Sequence, residues 1–152
     1  NHPIFTDANV YNHNYYLIHN GHIYNADNLE DQHKLYGLEY NTYEDTKFTD
    51  SESLLHEIVM IAEGLNDPKL FGAKGSLAFI MIQADKNNNP MALYYGRNWQ
   101  APLKLQQSVD TIVLRSECSS GEYVEPNKLF RYDYNTKETT SIDVPFGKEL
   151  VR

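Results

Sequence analysis

The sequence predicts an α+β fold in which antiparallel sheets carry helices packed on their faces. Three observations predict it. Leu54, Leu55, Ile58, Val59, Ile61 and Ala62 recur at helical spacing. The second half of the chain instead pairs short apolar strands across polar turns. At 152 residues and 41% hydrophobic composition, one domain can bury roughly 68–70% of the surface its unfolded chain exposes. No internal repeat or low-complexity linker divides the chain.

The elements follow in order. Asn1-His2-Pro3-Ile4-Phe5 has no initiator methionine and reads as the middle of something, either a processed protein or the ordered portion of a longer one. Tyr15–His19 is aromatic and aliphatic, which suits a strand, and Asn20-Gly21 reads as a turn after it. A short helix is expected over Ala26–Tyr36, stopped by Gly37 at a left-handed cap. Thr49-Asp50-Ser51-Glu52 fits a capping box, with Thr49 as N-cap and Glu52 reaching back. The helix behind it runs until Gly64. Leu77–Gln83 and Met91–Arg97 form a hairpin around Asn87-Asn88-Asn89. Lys104–Gln106 with Thr111–Ser116, and Leu129–Tyr134 with Thr139–Val144, form two more. Ile4–Phe5, Leu17–Ile18, Leu77–Ile82, Ala92–Tyr94 and Ile112–Leu114 are expected in one sandwich core covered by the 50–63 helix.

Composition excludes several classes of partner. Thirteen basic against twenty-one acidic side chains leave a net charge of -8, a field that repels nucleic acid and anionic membranes. The longest apolar run, Leu77–Ile82, is far short of the ~20 residues a membrane span needs. The single cysteine, Cys118, cannot form an internal disulfide, which points to a reducing, cytoplasmic location. No signal-like segment opens the chain.

Few residues could carry chemistry. His19-Asn20-Gly21 admits two readings. One is a tight turn. The other is an oxyanion site, where a carboxamide and a neighbouring backbone N–H aim at one developing charge and glycine permits close approach. Asp50 is either a first-turn carboxylate favoured by the helix dipole or a binding group. His19 and His22 are three apart, but a turn between them would not hold a helical pair, and nothing completes a metal-ligand set. Cys118 reads as a small hydrophobe rather than a nucleophile. Gly72-Ala73-Lys74-Gly75-Ser76 lacks phosphate-loop spacing and reads as the approach to a strand.

Taken together, certain segments resemble the glutaminase domain of class II glutamine amidotransferases, members of the N-terminal-nucleophile hydrolase superfamily. They are Asn1-His2-Pro3, Leu17 to Asp27 with its His19-Asn20-Gly21 motif, Thr49-Asp50-Ser51-Glu52, and Lys74-Gly75-Ser76-Leu77-Ala78-Phe79. Gly96-Arg97 with Pro102-Leu103, and Arg115-Ser116-Glu117, complete the series in order. The resemblance implies an αββα sandwich of two antiparallel sheets with flanking helices, here incomplete at the N-terminus, with residues 1–152 as the C-terminal portion of the domain. It implies that Asn20 and Gly21 form the oxyanion hole, that Asp50 holds the α-amino group of glutamine, and that His19 supports substrate binding. These residues are expected to converge on one cleft.

The family's nucleophile is an N-terminal cysteine whose own amine acts as base, whereas residue 1 here is Asn1. The upstream arginine segment that binds the substrate carboxylate is also absent. The chain alone is therefore expected to be inert, needing no cofactor or metal, with glutamine as substrate. Its expected partners are the missing N-terminal segment or a separate synthase domain. The alternative is a catalytically inactive binding or scaffolding module that keeps the fold. A third reading is an unrelated sandwich with chance motif matches.

Overall fold

A computed structural model describes residues 3–7, 9–108, 111–116 and 121–146. In chain order the elements are β1 (Ile4–Thr6), β2 (Asn14–Ile23), α1 (Ala26–Leu35), α2 (Asp50–Ala62), β3 (Gly75–Ala84), β4 (Pro90–Arg97), β5 (Lys104–Gln107), β6 (Ile112–Arg115), β7 (Glu122–Tyr123), β8 (Lys128–Asp133) and β9 (Thr139–Asp143). A 3-10 turn covers Pro68–Leu70. One sheet has six strands in the order β1-β2-β3-β4-β8-β9, and a second has three in the order β6-β5-β7. Every strand pairing among the described residues is antiparallel.

The three expected hairpins form. In the first, Asp85 closes the asparagine loop by accepting the N–H groups of Asn87 and Asn89, while Asn88 takes φ 67°, a conformation asparagine tolerates well. α1 ends one residue early, and Gly37 at φ 82° follows it as the left-handed cap.

The expectation of a single core is corrected by strand alternation. Tyr15, Leu17, Phe79, Met81 and Tyr94 pack against Leu29, Leu54, Leu55 and Ile58 in one core. Their neighbours Ala78 and Tyr95 point the other way, into a second core with Leu103 and Val124, flanked by Leu105, Leu114 and Phe130. The layers among the described residues are thus helices, six-stranded sheet and three-stranded sheet. The small sheet does not cover the whole face beneath it. Phe5, Ile18 and Ile82 remain 41%, 52% and 36% exposed.

Two local expectations fail for tertiary reasons. Asn20-Gly21 is not a turn, because β2 runs straight through it with Asn20 opposite Ala78 and Gly21 opposite Leu77. The capping box does not form either. Thr49 sits at the N-cap without a capping side-chain hydrogen bond. Glu52, 1% exposed, instead accepts the N–H groups of Asn41 and Thr42 at 2.6 and 2.9 Å and the Thr42 hydroxyl at 2.7 Å. A buried carboxylate takes the donors nearest to it, and here a folded-back loop supplies more of them than the N-cap.

At the C-terminal end of α2, Glu63 receives the Tyr15 hydroxyl and lies 2.7 Å from His13 Nδ1. Burial opposes its ionisation, but the Tyr15 and His13 hydrogen bonds and the His13 charge outweigh that and hold its carboxyl below the ordinary 4.5. A depressed folded value means stability that is present above 4.5 and lost as pH falls through the folded value. Glu63→Gln is expected to cost about 1–2 kcal/mol at neutral pH and to lessen the loss of stability below pH 4.5. Urea unfolding at pH 7 and pH 4 measures both.

Candidate functional site

β2 alternates its side chains across the six-stranded sheet and so divides the motif it carries. His19 turns toward the helices, where it is 7% exposed, with Nδ1 2.9 Å from Ser51 Oγ and Nε2 3.3 Å from the Ser76 carbonyl. It ties α2 to β3. Asn20 turns to the opposite face and is exposed. Its carboxamide makes no hydrogen bond among the described residues. It lines a cavity of about 190 Å³ with Ile18, Ala78, Ile80, Leu103 and Ser116.

Gly21 has φ 132°, and a Cβ placed there would lie 2.0 Å from the Ser76 carbonyl oxygen. Gly75 on β3 has φ 141°, and its Cβ would meet the His22 carbonyl at the same 2.0 Å. The two backbones approach so closely that neither position accepts a side chain.

Asp50 opens α2 beside the end of β2. Its Oδ2 accepts the Ile23 N–H at 2.6 Å and lies 3.3 Å from His22 Nδ1. Both contacts fall on one oxygen, and Oδ1 makes no hydrogen bond among the described residues. The His22 and Asp50 side chains are 67% and 26% exposed, so this pair adds little stability. Asp50 borders a cavity of about 540 Å³ together with Tyr24, Asp27, Glu30, Tyr43 and Phe48, a size that suits a small molecule.

Asn20 and Asp50 therefore line two different cavities, and the expectation of one shared cleft is not met within this chain. The reason is the period of two along β2. Residue 20 faces the small sheet, while the N-terminus of α2 meets the strand on the helix side, three residues further on. Tyr24, Asp27, Glu30, Tyr43 and Phe48 went unnoticed in the sequence, since no periodicity links them. Only the fold gathers the start of α1 and the 43–48 turn around Asp50. Cys118 and Glu117 lie outside the described residues. Among the described residues, no group of three or more His, Cys, Asp or Glu side chains is placed to hold a metal ion, and no helix is long and apolar enough to cross a membrane.

No family model and no curated protein matches the chain. Solved structures do. The chain is similar to glutamine phosphoribosylpyrophosphate (PRPP) amidotransferase from B. subtilis complexed with ADP and GMP, with a TM-score of 0.59 and 19% identity over 93% of this chain and 31% of that one. It is equally similar to a structure described as the allosteric regulatory enzyme of purine biosynthesis, with a TM-score of 0.59 and 19% identity over 93% of this chain and 30% of that one. The chain spans about a third of the length of these proteins. At this identity the likeness is one of fold alone: two antiparallel sheets with few helices.

Proposed function

We propose that this chain is part of a class II glutamine amidotransferase-type domain, in which it supplies the oxyanion-binding and substrate-binding residues while another segment supplies the nucleophile. The observation that carries the reading is Asn20. Its unpartnered, exposed carboxamide stands on a sheet face otherwise made of Ile18, Ala78 and Ile80, beside a glycine that brings the backbone close. An amide donor on an apolar, incompletely covered face is well suited to meet a developing negative charge once water is excluded.

The chemistry runs as follows. A cysteine thiolate attacks the carboxamide carbon of glutamine, and the carbonyl π electrons move to oxygen. The Asn20 side chain and the Gly21 N–H stabilise that oxyanion. The tetrahedral intermediate collapses with protonation of the amine, ammonia departs, and water hydrolyses the thioester to glutamate and free thiol. Asp50, which lines a different cavity from Asn20 in this chain, would offer Oδ1 to the same substrate's ammonium only where the assembled domain joins the two cavities, and His19 holds α2 against β3. The exposed Phe5, Ile18 and Ile82 are the surface on which an N-terminal segment carrying the cysteine would extend the small sheet and bring the fourth, helical layer of an αββα sandwich. The ammonia acceptor belongs to a separate synthase domain, and a cytoplasmic location suits the thiol.

The test is glutamate release from glutamine. The 152-residue chain alone should give none above buffer. The chain joined to, or mixed with, a segment that begins with cysteine should give turnover. Activity of the chain alone overturns the division of labour. Inactivity of an assembled, folded domain favours a binding module that keeps the fold without the reaction.

A further inference from the structure

α2 buries a polar stripe that borders neither Asn20 nor the substrate chemistry. Ser53, His56 and Glu57 are 0%, 1% and 5% exposed, and each bonds a different segment. Glu57 Oε1 accepts the Gly72 N–H at 2.7 Å, and its Oε2 lies 2.7 Å from His33 Nε2 on α1. His33 Nδ1 is 2.6 Å from the Tyr40 hydroxyl, which is 3.0 Å from Ser53 Oγ. Ser53 Oγ in turn donates to the Ala26 carbonyl at 3.2 Å.

Counting protons along this chain fixes the direction of each bond. The Ala26 carbonyl can only accept, so the one Ser53 proton goes there. Ser53 Oγ must then accept from Tyr40, and the Tyr40 oxygen must accept from His33 Nδ1–H. The remaining contact, His33 Nε2 to Glu57 Oε2, holds one shared proton, so the network ties α1, the Tyr40 segment and α2 together through the centre of the helix layer.

His56 stands beside it, with its ring 5.3 Å from that of His33 and 5.2 Å from that of Tyr40. Its Nδ1 is 2.7 Å from the Tyr11 hydroxyl, and its Nε2 has no hydrogen-bond partner of good geometry. Among the described residues no carboxylate bonds to it. The titratable and charged groups packed around it are Tyr11 from the β1–β2 connection, Tyr40 from the segment after α1, His33 from α1, and Glu57 on its own helix. Beyond these lie the Glu30–Lys34 pair and the Glu52 carboxylate, which is held by Asn41 and Thr42. Burial first, and then the His33 charge, push His56 down to about 3; the Glu39 carbonyl acts weakly the other way.

We propose that His56 is the trigger of a proton-operated latch, in which the His33–Tyr40–Ser53–Glu57 network locks α1 and the 38–48 segment onto α2, and protonation of the buried His56, whose Nε2 has no hydrogen-bond partner of good geometry among the described residues, releases them. The released pieces carry one wall of the 540 Å³ cavity beside Asp50, namely Asp27 and Glu30 from α1 and Tyr43 and Phe48 from the segment. Acid therefore opens that cavity before it unfolds the sheets.

A depressed folded value places the sign. The contribution of His56 is complete above its ordinary 6.5 and is lost as pH falls from there toward 3. Amide hydrogen exchange of the whole chain between pH 7.5 and 5, expressed as protection factors, tests this above the carboxylate range. The opening constant of α1 and residues 38–48 should rise by about tenfold per pH unit below 6.5, the slope for uptake of one proton, while β3 and β4 hold their protection. His56→Gln should abolish the slope. A slope that survives in His56→Gln overturns the latch. Should that variant not fold, ring nitrogen shifts in the unaltered protein decide. His56 neutral while α1 is protected supports the latch; His56 protonated with α1 still protected overturns it. These readouts do not depend on glutaminase activity.

Discussion

Replacing Gly21 by alanine should cost the fold about 4 kcal/mol, the sum of about 1–3 for a side chain forced to a positive φ and about 1–3 for overpacking. The added methyl would lie 2.0 Å from the Ser76 carbonyl oxygen, and backbone rather than a flexible side chain is what it meets. Since β2 is bonded along its length to β3, relief requires parting the centre of the six-stranded sheet. For a domain of this size the melting temperature should fall by about 10 °C. Gly37 is the control: its φ of 82° is also left-handed, but a Cβ there meets nothing within 4 Å. Gly37→Ala should cost only about 1 kcal/mol. Equal losses for the two variants would show that close approach is not what demands glycine at position 21.

In an assembled, active domain, Asn20→Ala should lower kcat by about 10²–10³, the usual loss for one oxyanion donor, with KM almost unchanged. Its stability should stay within about 0.5 kcal/mol of the parent, because the carboxamide makes no hydrogen bond that the fold would miss. Asp50 should behave in the opposite way. Asp50→Ala leaves the Ile23 N–H without its 2.6 Å acceptor, so it should destabilise by about 1–3 kcal/mol and also raise KM. Glutamate release measured beside thermal melting separates the two. An Asn20→Ala enzyme with full turnover would withdraw the oxyanion role.

The elements that could be read from the chain are those whose signal is local. The α2 periodicity, the asparagine loop and the Gly37 cap each depend on residues within a few positions of one another, and each appears where its chemistry places it. The misreadings depend on distant partners. Asn20-Gly21 has the composition of a turn, yet Gly75 and Ser76, more than fifty positions away, leave room for it to continue as strand. Glu52 has the spacing of a capping box, yet Asn41 and Thr42 fold back to claim it. β1, with three residues, and β7, with two, are too short to carry a period.

The same division holds for the site. Residue order alone determined that an amide–glycine pair and a first-turn carboxylate exist. The side of the sheet each residue faces was decided by tertiary structure, because alternation along β2 converts one step in sequence into opposite layers. That is why Asn20 opens on the incompletely covered sheet face and His19 on α2. It is also why Asp50, thirty positions later, gathers its own cavity from α1 and the 43–48 turn. A hydrogen-bond donor can be recognised from its residue type, but its partner is fixed only when packing removes every alternative.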